Sequence, residues 1–66
     1  MKLWEYVDKK VKVTFIDGQV IKGNVEFYTS ALDNEPEPES ITLRNNSTNF
    51  LTELFRTEIA KIEVIG

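Results

Sequence analysis

The sequence contains no cysteine and no histidine. No disulfide can form, and a structural zinc site would lack its ordinary ligands. No apolar run approaches the length that spans a bilayer. The first residues, Met1-Lys2-Leu3-Trp4-Glu5, lack the long apolar stretch of a signal peptide. There is no glycine-rich phosphate loop among only three glycines. The only catalytic candidates are the carboxylates of a flexible, proline-containing loop, which cannot hold catalytic geometry. These absences argue against an enzyme, a metal or another cofactor, and a membrane protein. They leave a soluble, cytoplasmic binding or assembly module as the expectation.

The 66 residues form one domain. A domain this small buries only about 60% of the surface its unfolded chain exposes. Small scaffolds are commonly reinforced by disulfides, a metal or oligomerisation, and here oligomerisation is the one left. Charge is unevenly placed. The net charge is −3, and residues 29–39 hold Asp33, Glu35, Glu37 and Glu39 with no base. Outside that segment the chain is close to neutral, unlike the strongly basic footprint of a dedicated nucleic-acid binder.

Leu3 and Val7 lie four apart, with Trp4 and Tyr6 between them, and this spacing predicts a short helix over residues 2–9. From Val11 the period becomes two. Val11, Val13 and Phe15 alternate with Lys10, Lys12 and Thr14, as in a half-buried strand. Asp17-Gly18 signals a hairpin. In the next strand Ile21, Gly23, Val25 and Phe27 alternate with Lys22, Asn24, Glu26 and Tyr28. A two-residue Asp-Gly turn would set Phe15 opposite Val20 and flip the apolar residues to the polar face. A three-residue loop, Asp17 to Gln19, would set Phe15 opposite Ile21 and Val13 opposite Gly23. The second arrangement is preferred. Gly23, in mid-strand on the buried face, predicts a sharp bend or a close backbone approach.

Residues 29–40 read as an acidic, proline-containing loop. Three strands follow: Ile41 to Arg44, Phe50 to Arg56 and Ile59 to Ile65. Leu51, Leu54, Phe55, Ile59, Ile62, Val64 and Ile65 are more apolar residues than one half-buried face holds. A second copy of the chain is the natural cover for an edge that would otherwise aggregate.

One helix followed by five short strands, the second bent, resembles the Sm-like (LSm) family. The segment Val11-x-Val13-x-Phe15-x-Asp17-Gly18-x-x-Ile21-x-Gly23-x-Val25-x-x-Tyr28 is similar to the first Sm motif. Phe55-Arg56-Thr57-Glu58-Ile59-Ala60-Lys61-Ile62 is similar to the second, with spacing closest to the bacterial Hfq branch. The resemblance implies a mainly β, small-barrel fold of five strongly bent antiparallel strands. It also implies a homo-oligomeric ring of five to seven subunits, with the fourth strand of one copy paired to the fifth of the next. In this chain the implied interface comprises Leu51, Leu54, Phe55, Ile59, Ile62 and Val64.

The resemblance further implies single-stranded RNA at the ring's inner rim, contacted by the loops after the second and fourth strands. The matching candidates are Tyr28, Asn34, Arg56 and Thr57. Tyr28 would offer a face for base stacking, and Arg56 a donor for a base edge or phosphate. The plainer alternatives are partial core for Tyr28 and a salt bridge from Arg56 to Glu58 or Glu53. Departures from the family pattern are specific. Thr29 and Asp33 stand at the positions of the usual Asp-x-x-x-Asn, and Thr57 stands where relatives have His or Gly. Lys9, Lys10 and Lys12 form a secondary basic patch. The run Glu35-Pro36-Glu37-Pro38-Glu39 reads as a solvated loop. With Asp33, its acids would repel phosphates or recruit a basic protein. The alternative function is therefore a ring that scaffolds protein interactions without RNA.

Overall fold

A computed structural model describes residues 2–66. Five strands form one antiparallel sheet: β1 (Lys10–Phe15), β2 (Val20–Thr29), β3 (Ser40–Asn45), β4 (Leu51–Phe55) and β5 (Ile59–Val64). Their order is β4-β3-β2-β1-β5, so the sheet does not close into a barrel. The last two strands, adjacent in sequence, are its two opposite edges. Among the described residues, no helix is long and apolar enough to cross a membrane.

The expected helix over residues 2–9 is instead one 3-10 turn, Leu3–Tyr6. A helix this short has too few hydrogen bonds to offset its nucleation cost. The chain then leaves the turn through Asp8, at φ 66°. The Asp8 N–H donates to the Val25 carbonyl, and the Val25 N–H to the Lys9 carbonyl. The turn is thereby tied to mid-β2, and Leu3 is fully buried in the core. A spacing of four suits this single turn as well as it suits a helix.

The β1–β2 hairpin keeps the expected facing but not the expected pairing. Val13 lies opposite Ile21 and Val11 opposite Gly23. The Phe15 N–H donates to Gln19 O, so the three-residue loop is Ile16-Asp17-Gly18, with Gly18 at φ 92°. A loop of this length ends naturally on a residue of positive φ, a position glycine occupies without strain. The apolar residues still meet because a shift of two positions preserves the faces.

Two irregularities curve the sheet. Register shifts between Val25 and Phe27 on β2, so that Val25 faces Leu43 while Tyr28 faces Ile41. Strict alternation had placed Phe27 inward and Tyr28 outward. The bulge exchanges them, leaving Phe27 exposed and Tyr28 packed against the core. A second shift at Thr14/Phe15 pairs Phe15 with Ile59. Leu3, Val11, Val13, Val25, Ile41, Leu43, Leu54 and Ile59 form the core cluster. Leu54 and Ile59, taken above for interface residues, thus belong to the subunit's own core, and Ile62 packs against it.

At Gly23 the backbone of β2 passes close against β3. A Cβ there would collide with the Arg44 carbonyl oxygen and lie 3.1 Å from Leu43 Cγ. Only a residue without a side chain lets the strands meet.

Candidate functional site

The connections after β2 and after β4 meet at one end of the sheet. Backbone sets the junction: the Arg56 N–H donates to Glu39 O at 2.9 Å. Glu39 leads directly into β3, and Arg56 opens the short 3-10 turn Arg56–Glu58 between β4 and β5. The chain therefore brings Tyr28, Asn34, Glu39, Arg56 and Thr57 into one region.

Glu39 is the central group. One carboxylate oxygen accepts from the Tyr28 hydroxyl at 2.8 Å, and the other lies 3.4 Å from Arg56 Nε. The Glu39 side chain is only 20% exposed, against 49% for Arg56. The partner of Arg56 is thus Glu39 within the same chain. The expected partners act elsewhere: Glu58 accepts from the Phe55 N–H, and Glu53 accepts from the Ser40 hydroxyl.

Tyr28 meets Trp4 edge to face, with ring centroids 5.9 Å apart. Its partial burial matches the plainer reading of this residue. Asn34 directs its amide nitrogen to Pro38 O and the Ser40 hydroxyl, so its side chain fastens the connection to β3. Thr57 is exposed. The 29–40 segment is accordingly not solvated throughout. Glu35 and Glu37 are exposed, while Asn34, Glu39 and the fully buried Ser40 hold the connection against the sheet.

Sequence reasoning grouped Glu39 with its neighbours because three acids alternate with prolines. The signal that separates it is position, one residue before an apolar strand. Lys10 and Lys12 lie on β1, and Lys9 precedes it. Lys22, missed above, joins them by standing directly opposite Lys12.

The Tyr28–Glu39 contact raises the phenol's pKa above its ordinary 10.0, first through the hydrogen bond to Glu39, then through burial and the carboxylate's charge. The sign follows directly. A pKa raised on folding gives stability that is complete below pH 10 and lost as pH rises through the folded value. In a Tyr6→Phe background, ultraviolet titration is expected to show Tyr28 ionising above its ordinary value. Glu39→Gln should move that titration downward. A titration indifferent to Glu39→Gln would contradict the contact.

Comparison of the chain with protein-family models, curated proteins and solved structures yields no match.

Proposed function

We propose that this chain is a subunit of a homo-oligomeric, Sm-like assembly in which β4 of one copy pairs with β5 of the next, and that its role is to scaffold. The observation carrying this reading is the open sheet with β4 and β5 as its edges. Apolar residues accompany both edges: Leu51 and the adjoining Phe50 on one side, Val64 and the adjoining Ile65 on the other, all exposed. Two antiparallel-compatible edges on one molecule make a head-to-tail contact, which closes when its rotation permits. Burying such an edge also removes an aggregation hazard.

Hydrogen exchange tests the pairing. Backbone amides of β4 and β5 that lack an intrachain partner should be protected in concentrated solution and lose protection on dilution. Fast exchange of those amides at every concentration would contradict edge pairing.

A second reading is single-stranded RNA at the junction of the two connections. It is supported by the convergence of Tyr28, Asn34, Arg56 and Thr57 there, and by the partial exposure of the Arg56 guanidinium. Glu39 opposes it, because its carboxylate lies where an anionic ligand of Arg56 would approach. Fluorescence titration with short single-stranded RNAs at two salt concentrations separates the readings. The scaffold reading expects negligible binding by the parent and by Arg56→Ala. Tight, salt-dependent binding that Arg56→Ala weakens would favour RNA.

A further inference from the structure

The strand register concentrates positive charge on the sheet face turned away from the core. Lys12 stands directly across from Lys22, and Lys10 from Asn24. Arg44 lies beyond Asn24 in the same row. Like charges directly opposite destabilise a sheet, so Lys12 and Lys22 carry a local penalty. Glu63, on the other flank of Lys12, lies 3.2 Å from the Lys61 ammonium. Arg44 is turned to Glu26. Among the described residues, Lys10, Lys12 and Lys22 have no ion-pair partner.

The complementary charge sits on the same chain, out of its own reach. Asp33, Glu35 and Glu37 are exposed in the connection after β2 and form no ion pair among the described residues. That connection begins beyond Thr29, at the far end of β2 from Lys22. At about 3.4 Å per residue the separation along an extended strand is roughly 24 Å, comparable with the 23 Å middle extent of the molecule. Only another molecule can bring the two surfaces together.

We propose that the outer face of β1 and β2, through Lys10, Lys12 and Lys22, docks the acidic 30–39 connection of a second copy. Three unpaired ammonium groups meet three unpaired carboxylates. A second copy supplies the acidic segment in equal amount, three carboxylates for three ammonium groups. The contact is head-to-tail and so repeats from copy to copy. It leaves both edge strands free, and it therefore stands or falls apart from β4–β5 pairing, adding a second direction of growth to it.

Sedimentation at about 0.01 M and about 1 M ionic strength reads this contact, since the Debye length falls from about 30 Å to about 3 Å between them. The parent should form a larger species at the lower value and lose it at the higher. Lys12→Gln with Lys22→Gln should abolish that species, as should Glu35→Gln with Glu37→Gln, each with an unchanged circular dichroism spectrum. Charge reversal gives the decisive arm. Lys12→Glu/Lys22→Glu and Glu35→Lys/Glu37→Lys should each lack the low-salt species alone and regain it when mixed in equal amounts. A low-salt species that survives either neutralisation, or a mixture that restores nothing, overturns the proposal. So does an oligonucleotide or a basic protein that binds the parent through these residues while its mass ignores salt.

Discussion

Gly23→Ala is expected to destabilise the protein by about 3 kcal/mol or more, and Gly23→Val by at least as much. The direction is informative. Replacing glycine by alanine at a compatible site stabilises by about 0.4–1 kcal/mol, because the unfolded chain loses freedom. In a strand, valine would add β-propensity as well. Both gains are overridden here, because the first side-chain carbon already collides with the Arg44 carbonyl. That atom is backbone within β3, so relief requires moving a strand whose next residue, Asn45, is paired with Gly23 itself. Overpacking commonly costs 1–3 kcal/mol, and a clash with backbone belongs at or beyond the top of that range. A chain of this size has a total stability of only about 3–10 kcal/mol. The melting temperature of Gly23→Ala should therefore fall by about 12 °C or more. A melt equal to or above that of the parent would show that β2 and β3 can separate there freely.

The second large effect concerns the edges. Leu51→Lys and Val64→Lys place a charge on β4 and β5 at side chains 49% and 51% exposed. The isolated subunit should tolerate both. Across a paired edge each removes part of an apolar contact and introduces a charge with no partner. The expected loss is about 2 kcal/mol per contact, roughly thirtyfold in dissociation constant. Mixing gives a sharper result. Each variant keeps one intact edge, and head-to-tail pairing joins the free β5 of one variant to the free β4 of the other. The mixture should yield a heterodimer, while each variant alone stays monomeric. A single variant that dimerises by itself would show a symmetric edge contact instead.

The strands were legible because period-two alternation survives single substitutions. Lys10 to Phe15 shows it without interruption, and β1 lies where the pattern put it. Bulges were not legible. Nothing around Glu26 marks an extra residue, since the need for one arises from matching Val25 to Leu43 and Tyr28 to Ile41 on a different strand. Phe27 and Tyr28 exchanged faces for that reason. Hairpin parity was readable from the apolar residues alone. The loop's identity was not, because moving it by two positions keeps every face intact. At the candidate site, Arg56 and Tyr28 could be singled out by residue type. Their shared partner Glu39 could not be told from Glu35 and Glu37, because what distinguishes it is tertiary proximity to Arg56 across two connections.

The excess of apolar residues after Phe50 pointed to a partner, and the fold assigns that excess more finely. Leu54 and Ile59 are consumed by the subunit's own core, while Leu51 and Val64 stay at the edges. The case for assembly therefore rests on fewer side chains and on two unpaired backbone edges, a feature no composition count reveals.

Solution mass tests that case most directly. Light scattering coupled to size exclusion, at high salt to suppress charge-driven contacts, should give a discrete multiple of the 7.6 kDa chain. Leu51→Lys and Val64→Lys should each reduce it to the single-chain value. A parent that runs as a stable monomer at every concentration would contradict the proposed assembly.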